Sequence, residues 1–513
     1  MKNFVKYIVF AAATVCLAAC SEDFMDNINK DTSHPLDVNA KFLITDIEMR
    51  TAQNIVGGDF NTYFGAYVEH WVGTHNQLYQ AEIRGAEVRV SSTFNNTWAT
   101  VYENIRNAKI VVAKCSEGGA EESNKLAKAV GEILLAYNAA AATDIYGDTP
   151  YSQVGNYKEY PAPAADKQSD IYTEVFKLLD DAITCLEGAS NTLGSYDIIY
   201  GGDAAKWKKF AQGLKARYTM RLILKSGSKE TDYQKVIDCA NESFASADEQ
   251  ASVKVYDGTS AQNPVFDFEW SRDGISSSAS LYQKLMERKD PRADRVYYDP
   301  SSWEFYDSKT AAGHLAPNGE PEESQYMYCY DAFFFAEVAP VHLLSYHEVL
   351  FLKAEAQCRL NNNDAKATLK KAVEAAFVNF ENNVQSAQNA PTVNSYGGLE
   401  PLGGSALDAT AADTYFESNV APLFEVNPFK EVMIQKYIAL WGANGESVET
   451  YNDIRRLKAE EKDIYSLANK GKFPLRAAYG NDDVVNNPNI SSLYTDAGNY
   501  VFSENVWWAG GSR

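Results

Sequence analysis

Aromatic and amide side chains stand close together in one short segment near the start of the chain. Trp71 and Tyr79 enclose His75 and Asn76 there. An aromatic ring offers a flat apolar face to the C–H surface of a sugar, and neighbouring polar groups can hydrogen-bond its hydroxyls. The spacing therefore predicts a sugar-binding site formed by these four residues. The alternative is that Tyr67 and Trp71, four residues apart, form one apolar helical stripe that faces the core.

A second group of aromatic residues falls in a stretch without regular periodicity. Trp270, Trp303 and Tyr306 lie within residues 251–340, which are rich in Gly, Pro, Asn, Ser and Tyr. Long irregular segments run over the surface and often carry function, so aromatic residues there are not easily explained as core residues. We therefore expect these three side chains to form a second ligand-binding platform.

The chain lacks the motifs of the common catalytic and phosphate-binding sites. It contains no GxSxG nucleophile elbow, no phosphate loop, no dinucleotide fingerprint, no HExxH zinc motif and no EF-hand calcium loop. Asp144 and Asp148 could act as paired carboxylates, but Gly147 and Pro150 indicate that this stretch is a helix end. The sequence therefore predicts a protein that is not an enzyme and that has no catalytic residues, metal or cofactor.

The charge of the chain restricts its partners. Asp and Glu outnumber Lys and Arg by 69 to 47, which gives a formal net charge of −22. Such a charge repels nucleic acids and the surface of an anionic bilayer, so we expect no nucleic-acid partner. A neutral ligand, either a sugar or a peptide, remains open.

The N-terminus has the features of a bacterial lipoprotein signal. Two lysines precede an apolar run that ends in Leu17-Ala18-Ala19-Cys20. This order predicts a signal peptide at residues 1–19, cleavage before Cys20 and acylation of that cysteine. Residues 20–37 then form a lipidated, flexible leader, and only the lipid contacts the membrane. The alternative is a plain secretory signal with an incidental cysteine.

Helical periodicity predicts the elements that must position these groups. Apolar residues recur every three to four positions in segments whose spacing is typical of tetratricopeptide-like helix pairs. These segments are residues 94–112, 126–147, 171–186, 207–222, 342–359, 364–378, 428–441 and 446–458. The predicted fold class is mainly α, in one domain over residues 38–513. Helix pairs form its scaffold, and inserts at residues 251–340 and 379–425 form an irregular layer with few short strands.

Several motifs resemble those of one family of lipoproteins. They are DIYGDTPY at residues 144–151, YHEVLFLKAEA at 346–356, IQKYIAL at 434–440 with YNDIRR at 451–456, and VWW at 506–508. Together with Cys20 they are similar to the motifs of the SusD/RagB family, and they occur in the same order. Gln435-Lys436-Tyr437 departs from the commoner arginine-rich form, which indicates a divergent branch and leaves the ligand open.

The resemblance to this family implies a function. SusD/RagB-like proteins are non-enzymatic lipoproteins on the surface of the outer membrane that bind glycans, or in some members peptides. The resemblance implies that the chain delivers an oligosaccharide or polysaccharide to a SusC-like TonB-dependent transporter. The remaining alternatives are a binder of peptides or other nutrients, a glycoside hydrolase and a protein scaffold.

Overall fold

The structure is a computed structural model that describes residues 38–513. The predicted signal peptide, the lipidation site at Cys20 and the leader at residues 20–37 lie outside the described residues. Helices dominate the described part of the chain, and its strands are few and short. The mainly α fold class that the periodicity predicts is therefore confirmed.

The helices include long scaffold helices and shorter helices of the inserts. In chain order they are α1 (Ala40–Arg50), α2 (Phe60–Tyr67), α3 (Asn76–Glu82), α4 (Asn95–Cys115), α5 (Lys125–Tyr146), α6 (Gln168–Leu186), α7 (Ala204–Arg221), α8 (Lys229–Asn241), α9 (Pro264–Arg272), α10 (Ala279–Glu287), α11 (Ser308–Ala311), α12 (Tyr346–Arg359), α13 (Ala365–Gln388), α14 (Pro391–Ser395), α15 (Ala409–Tyr415), α16 (Ala421–Val426), α17 (Pro428–Ala439), α18 (Ser447–Ala459), α19 (Asn481–Asn486) and α20 (Pro488–Ser491). A π-helical segment at Thr51–Asp59 joins α1 to α2. Over residues 38–513, no helix is both long enough and apolar enough to cross a bilayer.

The long helices pack side by side in sequence order. Helix α4 packs on α5, α5 on α6, and α7 on α8, while α12 packs on both α8 and α13. Nearly all of α5 is buried, and the small side chains of Ala139, Ala140 and Ala142 let neighbouring helices approach closely. The helix ends where Gly147 adopts a positive φ of 76°, a conformation that glycine takes without strain. This helix end agrees with the sequence prediction.

The strands form small antiparallel sheets. They are β1 (Trp71–Gly73), β2 (Thr149–Pro150), β3 (Ala165–Asp166), β4 (Ala251–Val253), β5 (Ile275–Ser277), β6 (Tyr297–Tyr298), β7 (Phe305–Tyr306), β8 (Tyr330–Asp331) and β9 (Val341–Leu344). Strand β1 pairs with β5, β2 with β3, and β4 with β9, while β6 lies between β7 and β8. The β1–β5 pair places Trp71 opposite Ser277, so it brings the first predicted aromatic segment beside the first insert.

The second insert starts later than the sequence predicts. Helix α13 continues to Gln388, beyond the predicted helix end at residue 378. Phe380, Val384 and Ala387 are buried, so the helical apolar period runs on into the predicted insert. The irregular segment therefore begins after α13, with the short helix α14.

Buried ion pairs connect the scaffold helices. The Arg217 guanidinium on α7 lies 2.5 Å from the Glu348 carboxylate on α12. The Arg456 guanidinium on α18 lies 2.7 Å from the Glu355 carboxylate, also on α12. All four side chains are nearly inaccessible to solvent, so each pair fixes the position of one helix against another.

Candidate functional site

A cavity of about 410 Å³ opens beside the C-terminal end of α9. One part of its lining is aromatic and consists of Trp270, Trp303, Tyr326, Tyr330, Phe334 and Phe335. The other part is polar, with the carboxyl groups of Glu269 and Asp273 and the hydroxyl of Ser301. A concave site of this size, mostly apolar with a few polar groups, has the general features of a small-molecule binding site.

The aromatic wall is built around Trp270. The Trp270 ring is stacked on Phe266, with ring centroids 5.3 Å apart, and 38% of the residue is exposed. The centroid of the Trp270 ring also lies 6.2 Å from that of Trp303 and 5.7 Å from that of Tyr396. Tyr396 is 71% exposed, so the cluster presents aromatic surface to solvent. An exposed aromatic cluster beside a cavity is more typical of a binding surface than of a core.

A tight turn holds Trp303 in this wall. Trp303 has a φ of +60°, a left-handed conformation that is uncommon for residues other than glycine. The Asp299 carboxylate stabilises the turn by accepting hydrogen bonds from the backbone amides of Ser301 and Ser302, at 2.9 and 2.7 Å. The Tyr306 hydroxyl donates a hydrogen bond of 2.7 Å to the same carboxylate. These contacts thus hold Trp303 in its strained backbone conformation.

The polar wall contains a carboxyl group with a strongly altered pKa. Burial raises the pKa of the Glu269 carboxyl from its ordinary value of 4.5 to about 8, and the backbone amide of Gly274 opposes this increase. The neighbouring Asp273 carboxylate accepts a 2.6 Å hydrogen bond from the Tyr326 hydroxyl. Within residues 38–513, no group of three or more His, Cys, Asp or Glu side chains is placed to hold a metal ion.

The structure brings two of the three insert aromatics together. Trp270 and Trp303 line the same cavity, as the prediction of a platform requires. Tyr306 is half-buried on β7 and is not among the lining residues of this cavity. The ring centroids of Tyr306 and His314 are 5.1 Å apart. The Tyr306 hydroxyl is hydrogen-bonded to the Asp299 carboxylate of the turn that holds Trp303. Tyr306 therefore stabilises the turn of Trp303 and does not line the cavity.

His75 and Asn76 lie on the opposite side of α9. They line a smaller cavity of about 190 Å³, together with Phe268 and Arg272 of that helix. The two sequence groups therefore meet at one helix, because β1 and β5 place their segments side by side. Tyr79 is half-buried on α3 and lines neither of these two cavities.

Trp71 belongs to the core. It is 0% exposed, and its indole N–H donates a 3.0 Å hydrogen bond to the Thr62 carbonyl. A Cβ atom on Gly65 would lie 2.1 Å from the Trp71 ring, so the ring fills space that only a glycine leaves open. No ligand can stack on this ring, and the prediction that Trp71 binds a ligand is wrong. The core alternative is correct about burial, although Trp71 lies in a strand and not on a helical stripe.

The sequence pattern does not predict four residues at this site, namely Tyr326, Tyr396, Glu269 and Asp273. Tyr326 and Tyr396 are exposed aromatics within the two inserts, so the signal used for Trp270 could have found them. Tyr396 also precedes two glycines with positive φ, a local sign of a surface loop. Glu269 carries no comparable signal, because its burial depends on contacts between the α9 end and β5.

Comparison with known proteins identifies the family. The family model described as "SusD-like_2: Starch-binding associating with outer membrane" matches residues 31–480. A solved SusD/RagB family protein from Bacteroides thetaiotaomicron VPI-5482 is 43% identical, with a TM-score of 0.88, and the match covers 93% of this chain and 100% of that chain.

Two more distant structures share the fold. A chitin-binding protein is 22% identical with a TM-score of 0.68, over 92% of this chain and 100% of that one. A SusD homologue from Bacteroides fragilis NCTC 9343 is 18% identical with a TM-score of 0.70, over 93% and 100%. No curated protein sequence matches the chain.

These findings confirm the resemblance based on the sequence motifs. The matching family is described as starch-binding and as associated with the outer membrane. The family model spans most of the chain, and the 43% identical relative is matched over its whole length. The chain therefore belongs to the SusD/RagB family.

Proposed function

We propose that the cavity beside Trp270 and Trp303 binds an oligosaccharide or polysaccharide without cleaving it. The observation that supports this most directly is the ring cluster of exposed Trp270 and Tyr396 with half-buried Trp303, next to polar side chains. Aromatic faces stack on the apolar surface of sugar rings, and carboxyl and hydroxyl groups hydrogen-bond the sugar hydroxyls. The family description, which refers to starch binding, supports the same ligand class.

The arrangement of the carboxyl groups favours binding over hydrolysis. A glycoside hydrolase needs two carboxyl groups on opposite sides of the bond that is cleaved. Glu269 lies in the last turn of α9 and Asp273 caps that helix, so both come from the same wall of the cavity. The Asp273 carboxylate is also hydrogen-bonded to Tyr326. We therefore assign these groups to ligand recognition.

We further propose that the chain delivers its ligand to a SusC-like TonB-dependent outer-membrane transporter. Acylation of Cys20 would hold the protein at the cell surface, as the sequence of the signal region predicts. A tether of this kind raises the effective concentration of the binder near the transporter. Modest affinity suits this role, since a ligand held too tightly would not be passed on.

The test is calorimetric titration of the soluble chain, without Cys20 and the residues before it, against starch-derived, chitin-derived and host glycans and a peptide digest. We expect saturable heat with one glycan. Trp270→Ala should weaken that binding about tenfold, or about 1.4 kcal/mol, because one stacking face is lost. Tyr157→Ala is the control, since Tyr157 is an aromatic residue that is 71% exposed but lies in the loop between β2 and β3.

Other outcomes would redirect the assignment. Heat with peptides alone would make the protein a peptide binder, and release of shorter sugars would make it a hydrolase. Glycan binding that is unchanged in both Trp270→Ala and Trp303→Ala would place the binding site elsewhere on the molecule.

A further inference from the structure

A second cavity lies among the scaffold helices. It has a volume of about 380 Å³ and opens where α12 packs against α8 and α13. Phe244, Val349 and Leu350 contribute apolar surface to its lining, together with the half-buried ring of Tyr346. A cavity of this volume is in the range of sites for organic ligands.

This cavity is separate from the aromatic site beside Trp270. The two cavities have no lining residue in common. Helix α13 lines the second cavity with its first two turns, which include Thr368. Further along α13, Phe380 packs on Phe333, which is next to Phe334 of the aromatic site. The 12 residues from Thr368 to Phe380 span about 18 Å of helix, so a ligand can occupy either cavity independently.

The polar side chains of the second cavity lack partners within the protein. Among residues 38–513, the ammonium groups of Lys353 and Lys371 have neither a hydrogen bond nor an ion pair. The Thr368 hydroxyl and the Gln357 side-chain amide also make no hydrogen bond, although these residues are only 7% and 2% exposed. Buried polar groups are normally paired, so several unpaired groups around one cavity indicate a polar ligand.

The lysines give this cavity a local excess of positive charge. Lys353 is half-buried and Lys371 is exposed, so a ligand that enters the cavity can reach both ammonium groups. Asp364 supplies the single carboxylate among the lining residues. Burial lowers the pKa of Lys353, and repulsion from Lys371 lowers it further, while Asp364 acts in the opposite direction. An anion that contacts both ammonium groups would offset their repulsion.

We propose that this cavity binds an acidic sugar, that is, one sugar unit that carries a carboxylate or a sulfate group. Lys353 and Lys371 bind the anionic group as point charges on flexible side chains. The Thr368 hydroxyl and the Asn241 amide hydrogen-bond the sugar hydroxyls, and the Tyr346 ring offers an apolar face to the C–H surface of the sugar. This inference does not depend on the proposed function of the aromatic site.

Two features favour a single acidic sugar over other anions. A bare inorganic anion would leave the apolar side chains and the Tyr346 ring uncovered, and it would fill only a small part of the cavity. A long polyanion would be repelled by the net charge of −22 of the chain. Salt screens charges that are more than about 8 Å away, so the two lysines dominate the field at one anionic group inside the cavity.

The test is a ligand titration of the soluble chain, without Cys20 and the residues before it, followed by saturation-transfer difference NMR. The ligands are glucuronate, glucose 6-sulfate and glucose at constant ionic strength. At least one of the two charged sugars should bind at least tenfold more tightly than glucose, because glucose leaves both ammonium groups unpaired. The comparison of the two charged sugars identifies the anionic group. Inorganic sulfate, added as a competitor, should displace the bound sugar only at a concentration at least tenfold above that of the sugar.

Lys353→Met and Lys371→Met should each weaken binding of the charged sugar about fivefold, and the double variant should reduce its affinity to that of glucose. Both side chains are unpaired, so the circular dichroism of the variants should match that of the wild type. Lys366→Met is the matched control, because Lys366 is also on α13 but pairs with the Glu425 carboxylate at 2.7 Å and does not line the cavity. Trp270→Ala should also leave this binding unchanged.

Four results would overturn the inference. Equal affinity for glucose and both charged sugars would mean that the lysines do not recognise an anionic group. Competition by inorganic sulfate at the concentration of the sugar would mean that the site binds an inorganic anion only. Binding that is lost in Trp270→Ala but kept in the double lysine variant would place the charged sugar in the aromatic site. Absence of a signal with both charged sugars would also contradict the inference, whatever the aromatic site binds.

Discussion

Arg456→Met is expected to lower the free energy of unfolding by about 3–5 kcal/mol, because it leaves two buried carboxylates without a shared cation. The Arg456 guanidinium contacts the Glu355 carboxylate at 2.7 and 2.9 Å and the Asp453 carboxylate at 3.0 Å. Arg456 is 1% exposed, so water cannot replace the lost partner. Urea denaturation followed by circular dichroism measures the effect.

A double variant separates the charge effect from a packing effect. In Arg456→Met with Glu355→Met, the principal carboxylate partner is removed as well, while Asp453 keeps its 2.7 Å contact with Lys436. Replacement of a whole buried ion pair by apolar side chains costs less than removal of one partner. The double variant should therefore be more stable than Arg456→Met. A double variant whose loss of stability equals the sum of the losses of Arg456→Met and Glu355→Met would contradict this explanation.

An exposed ion pair provides the matched control for this prediction. The Lys208 ammonium lies 2.8 Å from the Glu187 carboxylate, which is as short as the buried contacts, but both side chains are accessible to solvent. Exposed pairs contribute little because water solvates each charge when the partner is lost. Lys208→Met should leave the urea midpoint unchanged within error. A large effect there would show that distance alone, and not burial, determines the contribution of an ion pair.

The scaffold could be predicted because its helices carry their own periodic signal. The predicted segments at residues 126–147 and 207–222 differ by only a few residues from α5 and α7. Long amphipathic or Ala-rich runs need little tertiary information, since the apolar spacing and a glycine end define them locally. The short strands could not be placed with the same accuracy, because each depends on a partner far away in the chain.

The buried charges illustrate what the sequence could not provide. The sequence alone indicates only that Glu348 and Glu355 lie on a helix, as surface or packing charges. Their partners, Arg217 and Arg456, are 131 and 101 residues away in the chain. No local sequence pattern indicates such a pair. The burial of these carboxylates therefore follows only from the way the helices pack.

The sequence predicted some of the residues that line the candidate site but not all of them. Trp270 and Trp303 follow from the rule that aromatics in irregular inserts are surface residues, and the structure places both at one cavity. The same chemistry is misleading for Trp71, because burial depends on the β1–β5 pairing and on the space left by Gly65. Side-chain type therefore indicates a class of ligand, while exposure has to come from the fold.

Asp331→Asn is expected to make the protein more stable than the wild type at pH 8 and to reduce the loss of stability between pH 5 and pH 8. Asp331 is 1% exposed, and its carboxyl group contacts the Ser277 hydroxyl at 2.5 Å and the Trp441 indole N–H at 3.0 Å. Burial raises its pKa from 3.8 to about 7, while these two contacts lower it. Asparagine keeps both contacts, because its oxygen accepts from Trp441 and the Ser277 hydroxyl can accept from its amide.

The direction of the pH effect follows from proton binding in the two states. The folded Asp331 carboxyl keeps its proton up to about pH 7, whereas the unfolded one loses it near pH 3.8. Its contribution to stability is therefore fully present below pH 3.8 and is lost as the pH rises through 7. Each pKa unit corresponds to about 1.4 kcal/mol, so the stability difference between Asp331→Asn and the wild type should grow by roughly 2–3 kcal/mol from pH 5 to pH 8.

Urea denaturation of the wild type and of Asp331→Asn at pH 5 and pH 8 measures this difference directly. Other buried carboxyl groups, such as Glu82 and Glu132, also have pKa values raised to about 7 by burial, but they titrate equally in both proteins and cancel in the comparison. Asp257→Asn is the control, because the amides of its own loop lower the pKa of Asp257 and keep it ionised at both pH values. Its effect on stability should be the same at pH 5 and pH 8. An Asp331→Asn effect that is equally independent of pH would mean that the buried carboxyl group is ionised in the folded protein.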